Sequence, residues 1–265
     1  MKTALAIYRA GRFSPNSEAK DKAKMDAVAD ILEGQDFVVV RKNEEQLTAA
    51  DSADVVLTMG RLPRTITLLA ALEAQGAKVL NSSRGLRSCS RSHIETVMRS
   101  HGIPCAPLTG HNGYWVKRGD EAAQSVSDVA FAADEAEMHS LVASMHGRGL
   151  ADVVVTAHVN GDLVKFYGVR GTGFFATFHP GDDGDFKFGS EAINGLPKHY
   201  SFSKSSLSTD ADRLAALLGI YVYGGDCIVR PDGTYAIIDF NDWPSFSRCR
   251  KEAAEAIASV ACKKV

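Results

Sequence analysis

The sequence has 265 residues, of which 45% are hydrophobic and 23% charged, and its formal net charge is −2. This composition is typical of a soluble globular protein with more than one lobe. The small net charge gives no sign of a nucleic-acid or membrane-surface partner. No apolar run approaches the roughly 18 residues of a transmembrane helix. The five scattered cysteines lack metal-binding spacing and the N-terminus lacks a signal-peptide pattern, so we expect a reduced, cytoplasmic protein.

The first 80 residues alternate between strand and helix patterns. Strands are predicted at residues 3–8, 37–41, 54–59 and 78–80, with helices at 16–33 and 63–75. This alternation predicts a parallel α/β lobe. Ligands of such sheets bind at the carboxyl ends of the strands, where the loops at 9–12 and 60–61 would lie.

The next 70 residues predict a smaller lobe, and the rest of the chain is rich in strands. Ser92 and Glu95 have the spacing of a capping box for a helix that ends at Gly102. The elements predicted after it are strands at 114–117, 128–132, 153–157, 163–168, 173–178, 222–229 and 234–241, and helices at 134–145, 208–218 and 251–261. We expect three domains, at residues 1–83, 84–150 and 151–265.

The last two strands carry acidic residues in an otherwise apolar hairpin. A connecting loop of two or four residues puts Asp226 opposite Ile237, whereas a three-residue loop turns Asp226 to the other face. In the even case Asp226, Asp239 and Asn241 share one face, since faces repeat every second residue. Two carboxylates and an amide oxygen suit Mg²⁺ or Mn²⁺. The alternative is that these residues only terminate strands and form turns.

Two lysines interrupt or end apolar strands. Lys117 follows Tyr114-Trp115-Val116, and Lys165 lies within Leu163–Tyr167. Each would suit a phosphate group as a compact positive charge. Taken alone, Lys117 is better explained as a surface lysine whose aliphatic stem covers apolar neighbours, and Lys165 would need an anionic partner if it points into a cleft.

Taken in chain order, these segments resemble the ATP-grasp superfamily over most of the chain. The matching stretches are Asn81-Ser82-Ser83, Arg91-Ser92-His93, Gly102-Ile103-Pro104, Tyr114 to Lys117, Val153 to Val159, Gly161 to Val169, Gly224-Gly225-Asp226 and Ile238 to Asn241 with Pro244. The resemblance implies mixed α/β and α+β architecture, in which an N-terminal parallel lobe is followed by two α+β lobes that sandwich ATP.

The resemblance also implies roles for individual residues. Thr156, Ala157 and His158 fall where the backbone of an interlobe hinge pairs with adenine, and Lys117 and Lys165 fall where cations bind ATP. Lys165, with Arg170 directly after the same segment, would be catalytic. Asp226, Asp239 and Asn241 would hold the metal ion that neutralises phosphate charge during transfer.

Several positions depart from the common pattern of the family's ligases. The loop at 118–127 has a single glycine, Asp239 replaces the usual Glu, and Lys165 replaces the usual Arg. These C-terminal features are similar to the inositol trisphosphate kinase branch, whereas the N-terminal half is similar to ribosomal-protein glutamate ligases and glutathione synthetase. Because ligases predominate in this superfamily, the resemblance implies an ADP-forming carboxylate–amine ligase acting through an acyl-phosphate. A small-molecule polyol kinase is the alternative, and a non-catalytic nucleotide-binding module is a third reading.

Five arginines in loops or helix starts of the first two lobes are candidate ligands for the acceptor: Arg9, Arg12, Arg61, Arg87 and Arg91. Because arginine binds carboxylate and phosphate in a bidentate manner, they predict a small anionic substrate. A homodimer is left open. Residues 191–197 are unassigned, and His158 and His179 fit either a cleft-facing or a structural position.

Overall fold

The computed structural model describes residues 1–13, 18–121, 123–183 and 193–263. Within these ranges the chain forms three β-sheets, each packed against helices. Positions 16–17 of the first predicted helix, position 122 of the loop at 118–127 and positions 191–192 of the unassigned segment lie outside the described residues. Every helix in the described parts of the chain is too short or too polar to cross a bilayer.

The N-terminal lobe is built on a parallel sheet with the strand order β2-β1-β3-β4. Its elements are β1 (Lys2–Tyr8), α1 (Glu18–Glu33), β2 (Phe37–Asn43), β3 (Val55–Thr58), α2 (Pro63–Ala74), β4 (Lys78–Leu80) and α3 (Ser83–Arg87). All four residues of β3 are buried, as expected for a central strand covered on both faces. The predicted parallel α/β lobe is confirmed.

The other two lobes contain antiparallel sheets with the orders β6-β5-β7 and β11-β10-β8-β9. Their elements are α4 (Arg91–Ser100), β5 (Tyr114–Arg118), β6 (Val129–Ala132), α5 (Glu135–Gly147), β7 (Val153–Ala157), β8 (Asp162–Val169), β9 (Phe175–Phe178), α6 (Lys204–Leu218), β10 (Val222–Val229), β11 (Tyr235–Asp242) and α7 (Arg250–Cys262). The mixed architecture predicted from the sequence is therefore confirmed.

Two elements belong to a different lobe from the one that their position in the chain predicts. β7 pairs with β5 and completes the central sheet, so residues 153–157 do not lie in the third lobe as the boundary at 150 implied. α7 packs against α1, and its Ile257 shares a core with Val28 and Leu32 of the N-terminal lobe. Both placements depend on long-range pairing, which local patterns do not report.

Asn81 joins the N-terminal lobe to the C-terminal sheet. Its side-chain oxygen accepts hydrogen bonds from the backbone N–H groups of Tyr221 and Val222, each at 2.8 Å. Its amide nitrogen donates to the carbonyl oxygen of Val222, also at 2.8 Å. Because Asn81 is fully buried, all three bonds are shielded from water, and they fix the chain where it leaves the first lobe.

Two helix starts differ from the prediction. The N-cap of α4 is Ser90, whose hydroxyl accepts from the backbone N–H of His93, so the capping box predicted at Ser92 and Glu95 is wrong. Ser92 instead donates to the carboxylate of Asp152 at 2.6 Å. The helix predicted at 208 starts at Lys204 because Ser203 caps it, in a serine-rich turn that has no apolar periodicity.

Candidate functional site

The hairpin of β10 and β11 contains a β-bulge that changes the predicted register. Near the turn Cys227 lies opposite Ile237, and after the irregularity Asp226 lies opposite Asp239. The expectation that Asp226 opposes Ile237 is therefore wrong. The connection, residues 230–234, has an odd length, and Ile238 is the extra residue that shifts the register by one.

The bulge brings the three predicted metal ligands to one face. Directly opposed residues share a face, so Asp226 and Asp239 point to the same side, and Asn241, opposite Gly224, follows in the alternation. The amide nitrogen of Asn241 donates to Asp239 at 3.0 Å. Without the bulge the odd loop would have turned Asp226 away from Asp239.

Lys165 of β8 extends this group by one strand. Lys165 lies directly opposite Asp226, and its Nζ atom is 3.3 Å from the carboxylate oxygen of Asp226. Lys165, Asp226 and Asp239 thus form a row across three neighbouring strands. We call Lys165, Asp226, Asp239 and Asn241 the acidic row.

Two cations from the central lobe reach the acidic row. The Nζ atom of Lys117 donates to the carbonyl oxygen of the bulged residue Ile238 at 2.9 Å. The Nε atom of Arg91, at the start of α4, is 3.6 Å from Asp239.

These contacts shift the pKa values of the groups involved. Burial raises the pKa of Asp239, but the charges of Arg91, Lys117 and Lys165 and the hydrogen bond from Asn241 outweigh burial and lower that pKa. Burial lowers the pKa of Lys117, against the attraction of Asp239.

The acidic row fits a hard divalent cation. Two carboxylates placed directly opposite each other repel unless positive charge lies beside them, and here they are balanced by lysine and arginine side chains. Their oxygens, with the amide oxygen of Asn241, form a donor set suited to Mg²⁺ or Mn²⁺. Asp226, Asp239 and Asn241 are the residues that could hold the ion.

An aromatic group lies on the face of the central sheet that carries Lys117. Trp115 shares this face with Lys117 by alternation along β5, and its ring packs against Phe131 and His158. The Trp115 ring nitrogen and His158 Nδ1 are hydrogen-bonded at 3.1 Å, and burial lowers the pKa of His158. His158 is therefore held in place by the structure.

Two of the hinge residues predicted to pair with adenine already use their backbone N–H groups in hydrogen bonds within the protein. The N–H of Ala157 donates to the carbonyl oxygen of Pro107 at 2.7 Å, and that of His158 donates to Gly113 at 2.8 Å. Thr156 pairs with Trp115 within the sheet. The backbone of Ala157 or His158 could therefore pair with a base only through a carbonyl oxygen, which would accept a hydrogen bond from the base.

Arg170, predicted to be catalytic with Lys165, is not brought to the acidic row. Alternation along β8 turns residues 165, 167 and 169 to one face and places residue 170 on the other. The guanidinium group of Arg170 donates to the carbonyl oxygen of Ile220 at 3.0 Å and stacks 4.0 Å from the centre of the Tyr221 ring. These contacts indicate a structural role for Arg170.

A cleft at the carboxyl ends of β1 and β3 collects three of the predicted acceptor ligands. Its volume is about 540 Å³, and Arg12, Arg61 and Arg87 line it together with Asp120, Glu121 and Cys89. A smaller pocket beside it is lined by Arg91, Asp239 and Asn241, and it shares Arg61, Cys89 and Glu121 with the cleft. The arginine-lined cleft therefore adjoins the acidic row.

Two acidic residues that the sequence analysis did not assign to the site hold this cleft in shape. The Glu44 carboxylate accepts from the backbone N–H groups of Ala10, Arg61 and Leu62 at 2.7–2.8 Å and so joins the loops that follow β1 and β3. Asp242 is buried and pairs with the guanidinium group of Arg61. Alternation along β11 turns Asp242 to the face opposite that of Asp239 and Asn241, and nothing in the sequence identified its partner.

Arg9, the remaining predicted acceptor ligand, lines neither pocket and lies in a buried charge cluster. Its Nε atom is 3.3 Å from Asp21, and Asp21 also pairs with Lys24 at 2.8 Å. Lys24 donates to the carbonyl oxygen of Trp243 at 2.8 Å, just beyond β11. The cluster fixes α1 against the end of the strand that carries Asp239.

The titration of Lys24 makes the free energy of unfolding depend on pH. Burial and repulsion by Arg9 outweigh the attraction of Asp21 and lower the pKa of Lys24 to about 8. An unfolded lysine titrates near 10.4, so between these values the unfolded chain binds more protons and the free energy of unfolding rises with pH. Relative to a Lys24→Met variant, we expect the wild type to gain up to about 3 kcal/mol from pH 8 to 10.5.

Urea unfolding of the wild type and the variant at several pH values measures this difference. Lys22→Met is the matched control, because Lys22 is exposed on the same helix, and its curve should run parallel to that of the wild type. Parallel curves for wild type and Lys24→Met would show that Lys24 titrates normally.

Comparisons with known proteins support the fold. No family model matches the chain, and no curated protein is significantly similar to it. Among solved structures, D-alanyl-alanine synthetase A from Vibrio cholerae is similar with a TM-score of 0.66 and 13% identity, over 99% of this chain and 94% of that one. A RimK domain ATP-grasp protein from Sphaerobacter thermophilus has a TM-score of 0.65 and 16% identity, over 99% and 100% of the two chains. D-alanine–D-alanine ligase from Bacillus anthracis, complexed with ATP, has a TM-score of 0.64 and 12% identity, over 98% and 97%.

Proposed function

We propose, on the premise that this chain has the ATP-grasp fold, that it is an ATP-dependent ligase of the ADP-forming, carboxylate–amine type. The observation that carries this proposal is the acidic row next to an arginine-lined cleft of about 540 Å³. The similar structures above, named a D-alanyl-alanine synthetase and a D-alanine–D-alanine ligase, support the coarser assignment to ATP-dependent ligases.

The nucleotide would bind between the central and C-terminal sheets. Asp226, Asp239 and Asn241 would hold Mg²⁺, which supplies charge neutralisation at the phosphates. Lys165 lies beside the same oxygens and would bind phosphate, whereas Lys117 would exchange its contact with the Ile238 carbonyl for one. The aromatic face of Trp115 and Phe131 offers an apolar surface for the base.

The acceptor would be a small anionic molecule bound in the cleft. Arg61 is aligned by Asp242 and by Glu44, so its guanidinium group is preorganised to bind a carboxylate or phosphate. Arg12 and Arg87 line the same cleft and add positive charge. Because the cleft adjoins Asp239 and Asn241, an acceptor held there would lie close to the nucleotide phosphates.

The proposed reaction has two steps. A carboxylate oxygen of the acceptor forms a bond to the γ-phosphorus of ATP while the bond to the bridging oxygen breaks, which releases ADP and leaves an acyl-phosphate. An amine then attacks the acyl carbon, expels phosphate and loses a proton. The protein positions the reactants and stabilises negative charge through Lys165 and the arginines, and it needs no side-chain nucleophile.

Product analysis separates this reaction from polyol phosphorylation, the alternative that the departures at Asp239 and Lys165 suggest. ADP release is measured over a panel of carboxylates paired with amines and over a panel of polyols, with hydroxylamine as a trap. We expect ADP together with a hydroxamate for one carboxylate. A phosphorylated polyol with no hydroxamate would overturn the ligase assignment and support a kinase.

A further inference from the structure

Three potential metal ligands meet at the end of β9, outside the acidic row. One ring nitrogen of His179, one of His199 and a carboxylate oxygen of Asp182 all lie within 4.8 Å of one another. The two histidine rings are 4.6 Å apart between centroids, and His199 Nε2 is 3.2 Å from Asp182. The three residues come from two separate segments of the chain, so the fold rather than local sequence brings them together.

The His179 ring adds an independent indication of a missing ligand. Its Nε2 atom is shielded from solvent and has no hydrogen-bond partner within the described structure. Because a buried polar atom without a partner destabilises the folded state, such atoms usually face a water molecule, an ion or a ligand. The backbone of His179 is held in addition by the Arg248 guanidinium, which lies 3.5 Å from the His179 carbonyl oxygen.

We propose that His179, Asp182 and His199 form a binding site for a divalent transition metal, and that the ion is Zn²⁺. Two imidazoles and one carboxylate are a donor set that zinc prefers, with a fourth position left for water or another group. Zinc with bonds of about 2.0–2.1 Å in tetrahedral geometry separates its ligand atoms by roughly 3.3 Å. The distance of 3.2 Å between His199 and Asp182 already matches this value.

The position of the site indicates its consequence. β9 is the edge strand of the C-terminal sheet, and its last residue, Phe178, lies opposite Lys165. His199 lies at the far end of the connection between β9 and α6. Zinc would therefore tie both ends of this connection to the sheet edge beside Lys165. The proposal does not depend on the ligase assignment, since it needs no nucleotide.

Zinc titration of the metal-free protein tests the site. The full chain is titrated with Zn²⁺ in competition with a zinc-sensitive dye, in excess Mg²⁺ so that hard-ligand sites are occupied. We expect the wild type to bind one equivalent, and His179→Ala and His199→Ala to weaken binding by more than about 100-fold, because each removes a direct ligand. His139→Ala, in an exposed position on α5, is the matched control and should bind like the wild type.

Two further measurements keep the test decisive. Asp182→Asn changes a single atom type at an exposed position, and it should weaken zinc binding even if a histidine variant folds poorly. Zinc should also raise the melting temperature of the wild type but not that of the histidine variants, since a ligand that binds only the folded state stabilises it. Absence of a bound equivalent in the wild type, or equal binding by a folded His179→Ala/His199→Ala double variant, would overturn the proposal.

Discussion

An Asp239→Asn variant is expected to lose Mg²⁺-dependent ATP turnover by about 100- to 1,000-fold, the size of effect seen when one preorganised electrostatic group is removed. The substitution preserves the shape of the side chain but removes one of the two carboxylate charges that face each other across β10 and β11. Burial raises the pKa of Asp239, but the positive charges of Arg91, Lys117 and Lys165 help to lower it overall, which keeps this carboxyl ionised and available to a cation.

The matched control for this experiment lies in the same hairpin. Asp232, in the exposed turn between the two strands, accepts hydrogen bonds from Thr234 that an asparagine oxygen can replace. Asp232→Asn should therefore keep full turnover. ADP formation is measured as a function of Mg²⁺ concentration, with circular dichroism to confirm folding. Wild-type turnover in Asp239→Asn would remove this residue from the metal site.

A Lys165→Ala variant is expected to lower kcat by about 100- to 1,000-fold while its dissociation constant for ADP changes by less than about tenfold. The reason is position: Lys165 lies directly opposite Asp226 and its Nζ atom is 3.3 Å from that carboxylate, so its charge acts where phosphate would be transferred. The base is expected to contact the central sheet, far enough from Lys165 for binding to be largely retained.

Lys251→Ala is the control, because Lys251 is exposed at the start of α7 and does not line the cleft. Single-turnover kinetics and ADP titration separate the two effects of the Lys165 substitution. A variant with unchanged kcat and a lower melting temperature would identify Lys165 as a structural residue that balances Asp226.

The secondary structure was largely predictable because local patterns reflect local interactions. The strand runs around Val55 and Val222 are apolar because each is buried in the fold, and the helical periodicity of α2 follows its buried face. The predicted helix starts were wrong where they depended on polar residues rather than on apolar periodicity. Ser90 and Ser92 are both acceptable caps, and only the structure shows that Ser90 accepts from the backbone N–H of His93 whereas Ser92 contacts Asp152.

The predicted acidic site illustrates a different limit. The residue types and their alternate spacing indicated that Asp226, Asp239 and Asn241 share a face, and the structure places them on one face. The register used to reach that conclusion was wrong, since an odd connection and a bulge at Ile238 compensate for each other. A bulge depends on the partner strand and on contacts such as that of Lys117 with the Ile238 carbonyl oxygen, which have no local signature.

By itself the sequence determined the alternation of strands and helices, the parallel nature of the first lobe and the chemistry available at the end of the hairpin. These properties depend on the period of apolar residues and on side-chain type, both of which are local. Only the tertiary structure decided that β7 joins the central sheet, that α7 packs on α1, and that Arg170 turns away while Arg61 meets Asp242. These outcomes depend on pairings between distant segments, whose energies are set by packing and charge in the assembled molecule.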